Sequence, residues 1–403
     1  MAAGLTQQQL AAPRYTKAYI SALENGHSKP SMAALSFIAE RLSVPTVRLL
    51  EDVPQSWARL SADLDLAAGR WQEAADAYQV LLETEPDRGH RAEIMLGIAE
   101  AQAGLNRGGE AAAAAGEARQ LFSELGHHAE AAIADYWLAC GEYEQGNTAE
   151  SKAILGRVLA KVRGGLNVEP DFEARLLMAL ASNASEDGEH RSALAYLEEL
   201  RNLNDRLDDR RRGIYFFNLS HSYRETGDYE AAIRTGLAGL ALLRAANLDL
   251  EWAGLLNGMA RSYLALGNTA KAEEAIGQAR ATLERLGDRR WLSCATEAEA
   301  EVRLAQGNTA AAARLASEAL RIAEDILDEK GALDALVTLA RARRNEGPPE
   351  EVIDLYAHAA ELAQTWGRPA RIREVLGEYA DVLAADGQQE RAFEIVRTAL
   401  KAG

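Results

Sequence analysis

The stretch that decides the fold is FFNLSHSYRETGDYEAA, residues 216–232. Its apolar residues fall at helical spacing up to Gly227, and a second helical pattern begins directly after Asp228. Glycine readily adopts the left-handed conformation that ends a helix, and aspartate favours turns, so this pair predicts a tight turn between two antiparallel helices. The small residues Ser220 and Ala232 stand on either side of that turn, where they allow the two backbones to approach closely.

The same pattern recurs along the chain at intervals of about 40 residues. The glycines in phase are Gly69, Gly104, Gly146, Gly188, Gly227, Gly267, Gly307, Gly347 and Gly387. A small residue stands seven positions before every one of them, and nearly all have another five positions after. Because no single hairpin can bury its own apolar face, neighbouring hairpins must stack. The sequence therefore predicts an all-α fold, with about nine helical hairpins forming an α-solenoid superhelix over residues 55–403.

The motif residues resemble the tetratricopeptide repeat. In residues 216–232 the leucine, small residue, tyrosine, Gly-Asp-Tyr and alanine stand where that motif has them, and in residues 71–86 so do Ala74, Tyr78 and Pro86. The usual repeat is about 34 residues long. The longer spacing here implies longer helices, as in the elongated repeats of bacterial regulators.

The first 50 residues follow a different pattern, LTQQQLAAPRYTKAYISALENGHSKPSMAALSFIAERLSVPTVRLL from Leu5 to Leu50. Thr6 followed by Gln9 predicts a capping box, and Thr16 predicts the N-cap of a second short helix. A short helix, a tight turn and a second helix with exposed polar and basic residues at its start are typical of modules that enter the DNA major groove. We therefore expect residues 1–52 to form a separate DNA-binding domain.

LTQQQLA, TKAYISALENG and KPSMAALSFIAERL resemble the Xre-type (lambda-repressor-like) helix-turn-helix family in their order and spacing. The resemblance implies a set of DNA-contacting residues: Gln7, Arg14, Thr16, Lys17, Ala18, Tyr19 and Lys29. Among them Gln7 and Lys29 would contact phosphate, and Lys17 is the expected base-edge contact, with a preference for guanine.

Two departures from the family pattern stand out. The turn at residues 12–15 is shorter than usual and has no glycine, and the helix that precedes the LTQ motif in the family is missing before Leu5. Without that helix we expect Leu10, Ile20 and Leu35 to be partly exposed. Either the true start codon lies upstream, which we favour, or the head is an impaired DNA reader.

Charge and composition separate the two parts. The formal net charge is -17, yet residues 1–50 contain five lysines or arginines against two acidic residues. A basic head on an acidic body indicates two different partners. No apolar run is long enough to span a membrane, and two cysteines, Cys140 and Cys294, cannot form a disulfide framework, so we expect a cytoplasmic protein.

The chain also lacks the common motifs of phosphate-binding loops, metalloproteases and serine hydrolases. We therefore predict no catalytic activity, no cofactor and no metal.

In a tetratricopeptide array the first helix of each repeat lines the concave surface, here at about ten, six and three residues before each glycine. Glu297 and Glu301 occupy two of these positions in one repeat. The candidate peptide- or partner-binding residues are Tyr136, Tyr143, Phe217, His221, Arg224, Asn257, Arg261 and Arg341. We expect Asn257 to bond a peptide main chain, and Arg224 or Arg261 to pair with a peptide carboxylate.

The whole layout is similar to the peptide-sensing quorum-sensing regulators of the RRNPP group. The resemblance implies a homodimer in which a peptide or protein effector in the groove changes the spacing of two DNA heads. Two other readings stay open: a protein-binding scaffold with a vestigial head and, more weakly, a modulator that acts on signalling proteins. An in-frame helix encoded upstream of the start would favour the regulator.

Overall fold

The computed structural model describes residues 5–12, 15–24, 37–39, 41–42, 55–344, 347–366 and 369–401. Across these ranges the regular secondary structure is helical, as the periodicity predicted. The chain divides into two compact units, residues 1–169 and 170–403. The sequence predicts the boundary between head and body near residues 52–55. Residues 43–54 lie outside the described ranges, so that boundary stays a prediction.

The head begins with two short helices, Gln7–Ala11 and Lys17–Glu24, and residues 37–39 and 41–42 are also helical. The predicted capping box is present: Thr6 Oγ1 accepts a hydrogen bond from the Gln9 amide, and Gln9 Oε1 accepts one from the Thr6 amide. This reciprocal pair satisfies two donors that the helix start would otherwise leave unpaired.

The expected exposure of the head's apolar residues is not observed where the structure describes them. Leu10 and Ile20 are buried, at 9% and 1% exposure, because they pack with Ala11 and Ile38 into a small core. Partly buried residues at its edge, Tyr15 and Phe37 among them, enclose this core. Leu35, the third residue of that expectation, lies outside the described residues.

The described part of the body contains nine helical hairpins, the number that the sequence predicted. Hairpins 1–3, in the first unit, are Gln55–Ala67 with Trp71–Thr84, Arg88–Gly104 with Gly108–Leu125, and His128–Glu144 with Thr148–Arg163. Hairpins 4–6, in the second unit, are Phe172–Glu186 with His190–Leu200, Asp209–Glu225 with Tyr229–Ala245, and Asp249–Ala265 with Thr269–Leu286. Hairpins 7–9 are Arg289–Ala305 with Thr309–Asp325, Glu329–Arg343 with Pro349–Trp366, and Pro369–Ala385 with Gln389–Lys401.

The turn glycines have the predicted left-handed backbone at seven positions: Gly69, Gly146, Gly188, Gly227, Gly267, Gly307 and Gly387. Gly104 is an exception, because it still belongs to the first helix of hairpin 2 and Asn106 takes the positive φ of 56° instead. Position 104 requires glycine for another reason: the Trp71 ring occupies the space that a Cβ atom would fill there.

The small residues on either side of each turn bring the two helices of a hairpin together. Ser220 Oγ donates to the Ala232 carbonyl at 2.8 Å, and Ser151 Oγ donates to the Ala139 carbonyl at the same distance. Both bonds join the position seven before the glycine to the position five after it. A hydroxyl at either position therefore reaches across the hairpin, as close backbone approach requires.

Candidate functional site

Four of the predicted DNA-contacting residues, Gln7, Lys17, Ala18 and Tyr19, lie on the two short helices of the head. Lys17 is exposed at the first position of the helix Lys17–Glu24, directly after the exposed residue Thr16. Ala18 and Tyr19 follow in the same helix backbone. Gln7 begins the first helix, and its amide nitrogen donates to Glu24 Oε2 at 2.5 Å. Arg14 and Lys29 lie outside the described residues.

Two predicted groove residues belong to the first unit. Tyr136 and Tyr143 are half-buried on the first helix of hairpin 3, and the Tyr136 ring packs edge-on against Trp137 with ring centres 5.0 Å apart. The other candidates belong to the second unit.

In the second unit, five of the predicted residues line two adjoining cavities of hairpins 5–8, which we call the recess. One cavity has a volume of about 300 Å3 and is lined by Phe217, His221, Arg224, Asn257 and Arg261 together with residues of hairpins 7 and 8. The other, of about 420 Å3, shares Arg224 and Arg261. The periodicity had placed these side chains on one face, and the structure brings them together there.

Aromatic rings form one wall of the recess. Phe217 and Trp291 pack edge to face with ring centres 6.4 Å apart. The glycine at position 254 makes this possible, because a Cβ there would lie 3.0 Å from the Trp291 ring and 3.2 Å from Phe217. The indole therefore rests against bare helix backbone.

Arg224 and its neighbours form the second wall. Its Nη2 contacts Glu225 Oε1 at 2.6 Å and His221 Nδ1 at 2.9 Å. Its Nε is buried and has no hydrogen-bond acceptor among the described residues. Burial and the nearby Arg261 lower the pKa of this guanidinium, although Glu225 opposes the shift.

Asn257 is a buried amide in the same wall. The residue is 7% exposed, and its Oδ1 accepts no hydrogen bond from the part of the chain that the structure describes. Buried amide oxygens are normally paired, and this unpaired one belongs to a residue that lines the smaller cavity.

Arg261 is held by two carboxylates of the next hairpin. Its Nη1 donates to Glu301 Oε2 at 2.5 Å, and its Nη2 donates to Glu297 Oε2. Glu297 is itself buried, and its other oxygen accepts a hydrogen bond of 2.7 Å from Thr338 Oγ1. Burial opposes the charge on Arg261, but the attraction of Glu297 and Glu301 outweighs it and raises the pKa of Arg261 well above its usual value.

Arg341 lies one hairpin beyond the aromatic wall and is also paired. Its guanidinium donates to Glu378 Oε2 at 3.0 Å and to Glu374 Oε1 at 2.7 Å. The hydrogen bonding that Arg341 donates to the Glu378 carboxylate is the main cause that raises the pKa of Arg341. Arg224, Arg261 and Arg341 therefore all have carboxylate partners within the protein. A peptide carboxylate would have to compete with these partners for the expected pairing.

Among the charged and aromatic residues that line the smaller cavity, sequence reasoning left out Glu225, Trp291 and Asp334. None of them falls on the three groove positions that the periodicity selects. The pairing of Arg261 did have a signal, because Glu297 and Glu301 occupy in hairpin 7 the positions of Asn257 and Arg261 in hairpin 6.

Among the described residues, no group of three or more His, Cys, Asp or Glu side chains is placed to hold a metal ion. Over the same part of the chain, no helix is both long and apolar enough to cross a lipid bilayer.

Comparison with protein families matches residues 1–49 to a helix-turn-helix family and residues 62–92 to the tetratricopeptide repeat. Neither is a family of enzymes. No match was found among curated proteins. The start of the chain thus matches an Xre-type helix-turn-helix, and the segment that follows matches a tetratricopeptide repeat, as the sequence predicted.

Solved structures with the same fold include the apo quorum sensor NprR from B. thuringiensis, at 15% identity and a TM-score of 0.65, with 88% of this chain and 99% of that chain covered. A Rap protein in complex with Competence and Sporulation Factor has 14% identity and a TM-score of 0.63, covering 86% and 97%.

A third similar structure is a signal transduction ATPase with numerous domains from Pyrococcus horikoshii, which carries a tetratricopeptide repeat sensor. It has 15% identity and a TM-score of 0.57 over 82% of this chain, and the chain spans about half (53%) of that protein. At these identities the likeness concerns the fold.

Proposed function

We propose that the protein is a DNA-binding transcriptional regulator whose repeat body binds a peptide or protein effector. The observation that carries the proposal is the joining of an Xre-type head to a repeat body with a partly unsatisfied recess. The quorum sensor NprR and the Rap protein bound to its factor have the same repeat fold. A Rap conjugation gene regulator of similar fold is bound to the Phr* peptide, which supports a peptide as the effector.

In the proposed head, the helix Lys17–Glu24 enters the major groove and Lys17 contacts a base edge. Thr16, Ala18 and Tyr19 lie beside it at the start of the same helix, while Gln7, Arg14 and Lys29 contact the phosphate backbone. Two heads are required to read two half-sites one helical turn apart, so we propose a homodimer. We also propose that the protein is cytoplasmic.

The DNA-binding proposal is tested by selecting duplexes from a random pool with the full chain and measuring affinity against salt concentration. Affinity falls steeply with salt if phosphates are neutralised. Lys17→Ala is expected to reduce discrimination between the selected and a scrambled site by about tenfold. Lys161→Ala, which removes a lysine of the repeat body paired with Asp135, serves as the control and leaves DNA binding unchanged.

Failure to select any duplex at low salt would contradict the regulator and favour the scaffold reading, in which the body binds proteins without the head. Light scattering of the same preparation checks the dimer.

In the body, we propose that Asn257 contacts the main chain of the effector and that Phe217, His221 and Arg224 lie around it. Tyr136, Tyr143 and Arg341 are proposed contacts at other hairpins of the array.

Mass spectrometry of material that copurifies with the full chain, after release by denaturation, tests the Asn257 contact directly. A peptide or protein recovered from wild type and lost from Asn257→Leu supports the assignment. The Asn218→Leu variant, at a half-buried amide outside the recess, is the matched control. Equal recovery from all three chains would contradict it.

A further inference from the structure

The charges of the recess do not balance. Glu225, Glu297, Glu301 and Asp334 bring four carboxylates to the recess and its floor, whereas Arg224, Arg261 and Arg371 bring three guanidinium groups. Each arginine is engaged: Arg224 by Glu225, Arg261 by the two glutamates of hairpin 7, and Arg371 by Asp334 Oδ1 at 2.6 Å. Arg371 also pairs with Glu374, at 2.9 Å, so these seven groups carry one negative charge in excess when all four carboxylates are ionised.

The excess charge is accessible from the cavities. The side chains of Asp334, Glu225 and Glu301 are 54%, 29% and 26% exposed, whereas Glu297 is closed off at 4%. Glu301 and Glu225 line the larger cavity, and Asp334 lines the smaller one with Glu225. The two guanidinium groups that line the cavities, those of Arg224 and Arg261, are already paired with carboxylates of the protein.

Charged groups face Glu301 from every hairpin packed around it. Arg261 comes from hairpin 6, Glu297 from its own helix, and Asp334 and Arg341 from hairpin 8. Arg224 and Glu225 approach from hairpin 5. Burial is the main cause that raises the pKa of Glu301, and repulsion from Glu297 and Asp334 adds to it while Arg261 opposes, so the pKa lies at about 7.

Two independent features of the recess also point to a bound molecule. Asn257, more than nine-tenths buried, has an amide oxygen with no donor from the described residues. The Phe217 and Trp291 rings line the same cavity, and aromatic rings attract cations as well as apolar groups.

Resting on the proposed function, we propose that the recess binds a positively charged group of the effector, a primary ammonium or guanidinium on a peptide, between Glu301, Asp334 and the aromatic wall. Asn257 accepts a hydrogen bond from the adjoining amide. Arg261 does not contact the ligand charge; it is a positioning residue that holds Glu297 and Glu301 at the recess. This assignment replaces the expected pairing of Arg224 or Arg261 with a peptide carboxylate.

The test uses the full-length chain and three pools of fluorescent pentapeptides with blocked termini, randomised except for a central Arg, Gln or Glu. Fluorescence anisotropy should show the Arg pool binding about tenfold or more tightly than the Glu pool, since one charge-assisted hydrogen bond contributes that much. Glu301→Gln and Asp334→Asn are each expected to remove most of this preference.

Glu299→Gln is the matched control. Glu299 lies on the same helix as Glu301 and pairs with Arg280 and Arg303, outside the recess. This variant should retain the Arg-pool preference. Equal loss in Glu299→Gln and Glu301→Gln would mean that the effect is structural, and would overturn the assignment.

A preference for the Glu pool would overturn the cationic assignment and leave the proposed function standing. If no pool binds saturably, the cationic assignment is also overturned. The copurification and DNA-selection experiments then test the proposed function separately.

A second measurement separates a contact from a structural role. Because a cation stabilises the ionised form of Glu301, binding of the tightest Arg-pool peptide at pH 7 should release protons. Calorimetry in two buffers of different ionisation enthalpy measures this release. We expect it in wild type and a smaller value in Glu301→Gln; proton uptake, or the same release in both chains, would contradict the proposal.

Discussion

Helix glycines lie between hairpins 2 and 3 in the first unit and between hairpins 5 and 6 in the second unit. In the first unit they allow close packing, and in the second they leave a cavity open. A Cβ on Gly141 would lie 2.7 Å from both the Gly108 carbonyl oxygen and the Ala112 amide nitrogen, so two helices there are in backbone contact. A Cβ on Gly258 would meet only Arg224 Nε, at 3.9 Å, beside a cavity. Helix glycines can therefore build either a closed scaffold or an open recess, depending on which groups face them.

The largest expected effect breaks the closed side of this comparison. Gly141→Ala places a methyl group against the backbone of the facing helix, and backbone cannot yield as a flexible side chain does. We expect the free energy of unfolding to fall by about 2 to 3 kcal/mol. Gly156→Ala, at an exposed helix glycine with nothing within 4 Å of an added Cβ, is the control and should stabilise slightly. Equal unfolding curves for the two variants, measured in urea, would contradict the close packing.

The open side is tested by filling it. Gly258→Leu has room for its Cβ and should occupy the recess, so binding of the Arg pool is expected to weaken about tenfold or more with little loss of stability. The control, Gly277→Leu, places the same side chain on an exposed helix face with open space. Anisotropy and thermal unfolding measure the two effects, and undiminished binding by Gly258→Leu would exclude the recess as the binding site.

The recess also makes stability depend on pH. The pKa of Glu301 is about 7 against an ordinary value of 4.5, so between these values the folded chain binds more protons than the unfolded chain and stability falls as pH rises. Glu301→Gln lacks this loss. Its free energy of unfolding should therefore rise by about 1 kcal/mol relative to wild type between pH 5 and about 8.

Glu374→Gln provides the contrast for that titration. Hydrogen bonds from Arg371 and Arg341 outweigh burial and lower the pKa of Glu374, so its stabilising effect is lost only as pH falls below the ordinary range. Its difference from wild type should stay constant over the pH range in which the Glu301→Gln difference grows. Parallel curves for the two variants in thermal unfolding would contradict the assignment.

The smallest expected effect concerns the turns between hairpins. Leu327 has φ 57° and is 88% exposed, although a left-handed conformation is costly for a residue with a Cβ. Gly126 and Gly287 fill the corresponding turns after hairpins 2 and 6. Leu327→Gly should therefore stabilise the chain by about 0.5 kcal/mol. The same change at Leu266, where φ is -85°, relieves no strain and should not stabilise.

The sequence was sufficient to predict the hairpins because small residues and turn glycines act locally. Ser220 and Ala232 bond to each other as their phase requires, and the helices begin and end close to the predicted turns. The error at Gly104 has a similar local cause, since glycine serves close packing as well as turns. Only the structure shows that Trp71 covers Gly104 and that Asn106 makes the turn.

The recess was predictable in its position but not in its charge. Phe217, His221 and Asn257 share a face by periodicity alone. Whether Arg261 faces solvent or Glu297 and Glu301 depends on how far each hairpin is shifted along the next, and helix period does not determine that shift. Trp291 could not be selected either, because its place in the wall depends on the bare backbone of Gly254 in the preceding hairpin.

Several ion pairs of the body run from one hairpin to the next, as when Arg261 bonds Glu301, which lies one repeat later in the chain. This wiring fixes the order of the repeats. If hairpin 7 were excised in frame, Arg261 would come to face Arg341, the residue at the equivalent position of hairpin 8, and attraction would become repulsion. Repeat arrays are often regarded as interchangeable modules, but hairpin 7 of this one cannot be removed without leaving Arg261 without its two glutamate partners.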